Sequence, residues 1–463
     1  MNKAVIFGAG ERGKYAYHKL SRAFDIVAYS DNKSILWGKE VNGVKVIPPN
    51  ELPELSAYGM KVFICTAQIY YDDIAEQLNS MSVPYLKGDG ESFFEIEGEF
   101  DYPVSFYKEA PYKKESESDF SVLYVQSKPC ARTIKIASAM KSIGVKTYSA
   151  VTLSETDSDE CPFEKEYLMW TFADILEFVN ESQFDLVHCS NAPDMLVNVL
   201  LHSNKRVVHD CHDMVTIERK GVLPEERVLE YIANSQADGC MYPTEGLRDV
   251  AVKKYGIDPK KTFVVGNYPP DSFFKVRRLP KLSQRDGEIH LVYEGGIGDK
   301  DCKMTYRYLQ PIFELIASKK IHVHFFSPAA FELCQRIDSV SPYIHYEGNY
   351  KGTSLIERLT QYDIGSALFN LQNGLTQYHT VASANKIYEY ICAGLPVVSN
   401  IPCYTGMLKD CGAGGELMLN ENIITQMNYY REIDIPRDLL QRHGMTMGGN
   451  SERILAFYKY ICS

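Results

Sequence analysis

The sequence has no Cys-x-x-Cys pair and no zinc-like cysteine spacing, although it holds 12 cysteines in 463 residues. That lack excludes zinc ribbons and thioredoxin-like redox motifs. Cys65 in VFICTA, Cys189 in LVHCSN and Cys392 in YICAG sit in apolar surroundings. They read as small core residues of a protein in a reducing, cytoplasmic compartment. No apolar run reaches the ~18–20 residues of a membrane-spanning helix. Positive charge is also in short supply: 49 Lys and Arg face 60 Asp and Glu, a net charge of -11. Broad nucleic-acid binding needs clustered cations to neutralise phosphates, so it is not expected. Gross attraction to anionic lipid is not expected either. A local basic run, Lys275, Arg277, Arg278, Lys281 and Arg285, reads as a solvated connector. The opening MNKAVIFGAGERG lacks a small-residue cleavage site, and glycines and charges follow its short apolar run at once. It reads as a first strand rather than a secretory signal. No short internal repeat is present.

What is there is ordinary globular composition, 45% apolar and 24% charged. Three blocks of alternating strands and helices can be drawn, which predicts an α/β chain with mostly parallel sheets. The first covers 1–106 and a polar linker, YKEAPYKKESESD, marks 107–119. The second covers 120–280 and the third 281–450, with a closing amphipathic helix at 451–463. Ligands in such folds lie at the carboxyl ends of the strands, so the polar tails of the apolar runs are where chemistry is sought.

The first such tail is Gly8, Gly10 and Gly13, a G-x-G-x-x-G turn between a strand and a helix, with Asp31 closing the next strand. Glycines there permit close backbone approach to a pyrophosphate, and the acid can accept from a ribose diol. The block IFGAGERGKYAYHKL…IVAYSDNKSILWGKEVNGVKVIPPNEL resembles the small N-terminal domain of sugar O- and N-acyltransferases. It is also similar to the nucleotide-binding domain of polysaccharide-biosynthesis epimerases and dehydratases. The resemblance implies a nucleotide or nucleotide-sugar site at Gly8, Gly10, Gly13 and Asp31. No nearby Tyr-x-x-x-Lys pair is seen, so this block is expected to bind or to scaffold.

The most informative stretch is SANKIYEYICAGLPVVSN, residues 383–400. Gly394 and Pro396 stop a helix and launch a strand. On the helix, Lys386 and Glu389 are three residues apart and share a face. With Asn385 at the helix start they can clamp a nucleoside diphosphate, the cation on phosphate and the carboxylate on ribose. The stretch resembles the donor-binding segment of retaining GT-B glycosyltransferases of the family-4 type. There, two glutamates eight residues apart are common. Glu389 fits the second, whereas Val381 stands in place of the first. YEGGIGDKDCK at 293–303 is similar to the glycine loop that opens the family's donor domain. The resemblance implies phosphate approach at Gly295, Gly296 and Gly298 and cations at Lys300 and Lys303. The segment YEGN at 346–349 fits a loop that packs on the donor base.

FDLVHCSNAPDMLVNVLLHSNKRVVHDCHDM resembles the family's acceptor half. It implies His212 with Asp213 beside the reaction centre, and His188 and Asn191 on a neighbouring loop. His209 and Asp210 precede them on the same strand. His209 and His212 are three apart on a strand and face opposite sides, so no metal is expected there. KYGIDPKKTFVVGNYPPDSFF, ending in Asp271 and Phe274, resembles the segment leading to the hinge. Asp157-Ser158-Asp159 is a D-x-D in a polar loop and reads as solvated.

The implied fold is two facing Rossmann-like domains (GT-B) plus an extra N-terminal Rossmann-like domain. The implied activity is transfer from a nucleoside-diphosphate sugar to a hydroxyl of a glycan or lipid-linked acceptor. By resemblance it is retaining, needs neither metal nor other cofactor, and serves bacterial cell-surface polysaccharide assembly. A lipid-linked acceptor would bring the chain to the inner face of the plasma membrane. Two other classes stay open: a sugar-nucleotide sensor or scaffold, and a dinucleotide-dependent enzyme running on the first block.

Overall fold

The computed structural model describes residues 2–21, 24–66, 68–87, 110–127, 129–152, 161–169, 172–191, 193–218, 221–302, 304–372 and 374–463. Residues 88–109, the Asp157-Ser158-Asp159 loop and Lys303 lie outside the described residues. The chain divides into two compact units. One comprises 1–130 and 146–206, the other 131–145 and 207–463.

The first unit opens with β1 (Asn2–Phe7), β2 (Phe24–Ser30), β3 (Glu40–Val41), β4 (Val44–Ile47), β5 (Lys61–Ile64) and β6 (Tyr85–Lys87), in the order β3-β4-β2-β1-β5-β6. All pairings are parallel except that of β3 with β4. Both faces are covered by apolar clusters, one around Ile6, Tyr29 and Phe63, the other around Phe7, Ile64 and Leu78. Four further parallel strands follow: β7 (Ser121–Gln126), β8 (Lys146–Val151), β9 (Lys165–Leu168) and β10 (Leu186–Ser190), ordered β10-β7-β8-β9. All six residues of β7, SVLYVQ, are buried. A strand covered on both faces carries such an unbroken apolar run rather than an alternating one.

The second unit holds β11 (Arg206–Asp210), β12 (Gly239–Tyr242) and β13 (Thr262–Val264), ordered β13-β12-β11. It also holds β14 (His290–Glu294), β15 (His322–Phe326), β16 (Ile344–Gly348), β17 (Ile364–Ala367), β18 (Val397–Ser399) and β19 (Gly414–Glu416). These run β16-β15-β14-β17-β18-β19, all parallel. That is the doubly wound order, and it reverses at β14, so the crevice for a ligand opens beyond the carboxyl end of β14.

The helix Asn385–Cys392 is held over this sheet by Tyr390. Gly365 has no side chain to collide with that ring. The Tyr390 hydroxyl donates to the Ser366 carbonyl at 3.1 Å and accepts the Glu294 amide at 2.7 Å. The helix stops at Gly394, which takes φ +78°, and Leu395 N–H returns to the Tyr390 carbonyl at 2.9 Å. A left-handed glycine costs no Cβ clash at this position. The last helix, Ser451–Cys462, buries Ile454, Phe457, Tyr458 and Ile461. Phe457 stacks on Phe263 of β13 at 5.1 Å, and the bare Cα of Gly239 leaves room for Ile461. Among the described residues no helix is long and apolar enough to cross a membrane.

Candidate functional site

In the first glycine turn, Gly8 takes φ +113°. A Cβ on Gly13 would collide with the Gly8 carbonyl oxygen, whereas one on Gly10 would meet open space. Two of the three glycines are therefore required by the turn and the helix packing alone. Asp31 is engaged by the turn as well. Its two carboxylate oxygens accept the Ala9 amide at 2.8 Å and the Lys33 amide at 2.9 Å. The carboxylate thus ties β2 to the turn, which the sequence reading had assigned to a ribose. Gly13→Ala is expected to cost about 1–3 kcal/mol through overpacking. A thermal melt of the full chain checks this, and an unchanged melt contradicts it.

The second-unit site is built around the carboxyl end of β14. Gly295 takes φ +132°, and its missing side chain makes room for Lys386 Nζ, to which an added Cβ would come within 3.0 Å. Lys386 Nζ sits 3.9 Å from the Tyr293 ring centroid. A Cβ on Gly296 would come within 2.5 Å of Arg307 Nη1. The loop is closed by the Gly298 amide donating to the Arg307 carbonyl at 3.0 Å, and by the Tyr293 hydroxyl donating to the Gly296 carbonyl at 3.0 Å. Glycine backbone and two cations thus converge where the strand order reverses. Such an arrangement suits an anion.

Behind it lies a buried charge cluster. Lys135 Nζ donates to Glu389 Oε1 at 3.1 Å and to Asn385 Oδ1 at 2.9 Å. Both partners of the ion pair are buried. Burial, with the Glu389 carboxylate beside it, pushes Glu294 well above the ordinary carboxylate range, against the pull of Lys386 and Lys135. That shift favours the protonated form of Glu294 beside the Glu389 carboxylate. Lys386 places its ammonium beside the glycine turn, next to Gly295.

The catalytic candidates follow β11. His212 Nε2 lies 3.1 Å from Asp210 Oδ2. Asp210 is fully buried and takes Arg132 Nε at 3.0 and 2.9 Å. Arg132 Nη1 also donates to the Val265 carbonyl at 2.9 Å and to Asn267 Oδ1 at 3.0 Å. Asn267 in turn donates to the Ser383 carbonyl at 3.1 Å, two residues before the Asn385 helix. The chain of bonds fixes the His212 ring, and in the neutral imidazole it puts the proton on Nε2. Burial and the Glu218 carboxylate push Asp213 up to about 7, while Arg307, a hydrogen bond from Tyr378 and Arg132 pull the other way. Asp213 thus sits within the field of the cation at the glycine turn.

Some expected residues are not brought in. Lys300 is exposed at the loop tip. His188 is buried in mid-strand on β10, against Tyr124 at 4.9 Å, rather than on a loop. Asn191 is the buried residue just beyond that strand. Tyr346-Glu347-Gly348 end β16 rather than forming a loop, and Glu347 holds His324 at 2.7 Å. Val381 leaves position 381 without a carboxylate; its carbonyl accepts the Thr244 hydroxyl at 2.6 Å. Sequence reading missed Arg307, Glu294, Lys135 and Arg132. Glu294 had a signal, being the last residue of the strand before the glycines. Arg132 and Lys135 had one too, as cations among the apolar positions of the helix ARTIKIASAMKS, where both are buried.

Residues 158–268 match the model of Glycosyltransferase Family 4, a span that includes His212 and Asp213. Residues 1–87 match the model of the C2185-like N-terminal domain. No curated protein matches the chain. Among solved structures, Anabaena Alr3699/HepE in complex with UDP is 12% identical with a TM-score of 0.54, covering 74% of this chain and all of its own. A glycosyltransferase from Rickettsia africae ESF-5 is 12% identical with a TM-score of 0.52, covering 74% and 99%. AviGT4, a glycosyltransferase of avilamycin A biosynthesis, is 11% identical with a TM-score of 0.51, covering 74% and 98%. At these identities the likeness is one of fold. The chain therefore has a GT-B fold, with residues 158–268 similar to Glycosyltransferase Family 4 and residues 1–87 similar to the C2185-like N-terminal domain.

Proposed function

We propose that this chain is a glycosyltransferase that moves a sugar from a nucleoside-diphosphate sugar to an acceptor hydroxyl. The observation that carries the reading is the convergence of Lys386 and Arg307 on Gly295 and Gly296, at the reversal of strand order. A leaving diphosphate develops negative charge as the glycosidic bond breaks, and fixed cations in a sheltered site stabilise it. Lys386, Arg307 and the amides at the start of the Asn385 helix supply that charge, so the reaction does not call on a divalent ion. Glu389, held by Lys135, stands one turn inside the helix for the ribose. His212, oriented by Asp210, is the group for a sugar hydroxyl or the leaving oxygen, with Asp213 beside it. The HepE structure with UDP and glucose, of the same fold, supports a uracil-type donor class as the first to try. Retention of anomeric configuration, a bacterial cell-surface glycan product, and a peripheral visit to a lipid-linked acceptor belong to the same proposal.

The N-terminal turn is proposed to carry a nucleotide through Gly8, Gly10 and Gly13, with Asp31 holding the turn in shape. The absent carboxylate at Val381 favours a second reading, a sugar-nucleotide sensor without transfer. The two part in one assay. Release of nucleoside diphosphate from a bound sugar nucleotide, with an acceptor present, supports a transferase, and binding without release supports a sensor.

Asp213 gives a pH test. Its folded-state value of about 7 is above the ~3.9 of an unfolded aspartate. Between those values the folded chain binds the extra proton, so this group's stabilisation is complete below pH ~4 and is lost as pH rises through ~7. Asp213→Asn is expected to flatten the fall in denaturation midpoint from pH 5 to pH 8. Parallel falls in wild type and variant contradict the assignment. In turnover, the limb near pH 7 is expected to disappear in the same variant.

A further inference from the structure

At the opposite ends of the same strands lies a second constellation that the transfer reaction does not use. His290 opens β14, His322 opens β15, His324 follows two residues later, and His345 is the second residue of β16. The register pairs His290 with His322 and His324 with His345. Residues i and i+2 of a strand share a face, as do in-register partners of parallel neighbours. All four imidazoles therefore stand on one face of the sheet. Their rings lie 4.5–5.1 Å apart, centroid to centroid, between neighbouring members of the group.

The ring nitrogens divide into an inner and an outer set. The inner set comprises His290 Nδ1 with His324 Nε2 at 2.8 Å, and His322 Nδ1 with His345 Nε2 at 2.8 Å. The outer set is tied to carboxylates: His290 Nε2 to Asp286 at 3.1 Å, His322 Nε2 to Glu288 at 2.6 Å, and His324 Nδ1 to Glu347 at 2.7 Å. Among the described residues, His290, His322 and His324 offer ligand atoms within 4.8 Å of one another. A carboxylate on the far nitrogen is what orients a metal-binding imidazole and raises its basicity. We propose that His290, His322, His324 and His345 form a binding site for a borderline transition-metal dication, with Zn²⁺ as the archetype, at the amino ends of β14–β16.

The chemistry fits. Imidazole nitrogens suit zinc, four of them make a closed tetrahedral set, and the ion takes Zn–N bonds of about 2.0–2.1 Å, which put neighbouring nitrogens about 3.3–3.5 Å apart. Within each inner pair the nitrogens would open by about half an ångström from 2.8 Å; His290, His322 and His324 already lie within 4.8 Å of one another, and His345 would move in as the fourth ligand. An ion here would pin the edge of the sheet, since the ligands come from three adjacent strands. It lies at the strand ends away from Glu294 and the glycine turn, so its role would be structural and separate from donor binding.

The test uses the full chain, stripped with a chelator and titrated at pH 7.5 with Co²⁺ as optical probe and then with Zn²⁺. One Co²⁺ per chain is expected, with the visible d–d absorption of a tetrahedral nitrogen site that Zn²⁺ displaces. His324→Gln and His345→Asn are each expected to lose the band. Glu347→Gln is expected to weaken binding about 10–100-fold. His345 is only half-buried, so its variant decides the matter should His324→Gln not fold. Absence of saturable binding to the wild type below about 100 µM, a level far weaker than zinc sites of this kind, overturns the proposal. A band unchanged in His345→Asn overturns it equally.

Discussion

Lys386→Met is expected to lower kcat/KM by about 10²–10³-fold while the chain stays folded, as removal of one charge-stabilising donor from an active site commonly does. Lys386 has no partner carboxylate of its own at salt-bridge distance among the described ion pairs; its ammonium lies over the Tyr293 ring and next to Gly295. A cation held by a π face, at a turn with no side chain in the way, is positioned for an incoming anion rather than for the fold. Arg307→Ala should act in the same sense, because its guanidinium occupies the neighbouring position over Gly296. The two losses should be less than additive if both cations serve one diphosphate. Full activity in Lys386→Met, with assayed sugar-nucleotide turnover, would remove the donor site from this sheet.

Asp210→Ala is expected to have the largest effect on stability, about 3–5 kcal/mol, because it leaves the Arg132 guanidinium buried without its carboxylate. The pair is 3% and 0% exposed, and Arg132 also carries the Val265 and Asn267 bonds, so no solvent is at hand to take over. The same change removes the acceptor from His212 Nε2, so turnover should fall even where the chain remains folded. The double variant Arg132→Met, Asp210→Leu separates the two effects. Replacing both charges by apolar groups should recover much of the stability and none of the ring orientation. Thermal melts and turnover on the three proteins check this. A melt of Asp210→Ala within 1–2 °C of wild type contradicts it.

The features visible in the sequence were those that are contiguous. Strand, glycine turn and helix follow one another at β1 and again at β14, and the helix from Asn385 with its Gly394 stop is written in eighteen consecutive residues. Hydrophobic runs and turn residues act locally, so the α/β class and the position of Lys386 and Glu389 could be read directly. What was hidden depends on contacts far apart in sequence. Lys135 reaches Glu389 across 254 residues, and Arg132 reaches Asp210 across 78. The sequence pointed to Lys300 as the loop cation, and the structure leaves Lys300 exposed while placing Arg307 against Gly296. The Gly298 amide bonds to the Arg307 carbonyl, a contact nine residues apart in sequence that brings Arg307 to the turn. Asp31 shows a second contact hidden from the sequence. A carboxylate after the second strand fits a ribose acceptor by position, yet both of its oxygens take backbone amides of its own domain. The histidine cluster left no local mark, because its four members lie on three strands and meet only through register.

The most direct test is a thermal-shift panel of UDP-, GDP- and ADP-sugars and NAD on wild type, Lys386→Met and Asp31→Ala. A ligand at 100 times its dissociation constant adds about 2.7 kcal/mol, a readily visible shift. Stabilisation by one class of sugar nucleotide, kept in Asp31→Ala and lost in Lys386→Met, is the expected result and places the donor at the carboxyl end of β14. Stabilisation lost only in Asp31→Ala, or none by any sugar nucleotide, would contradict it.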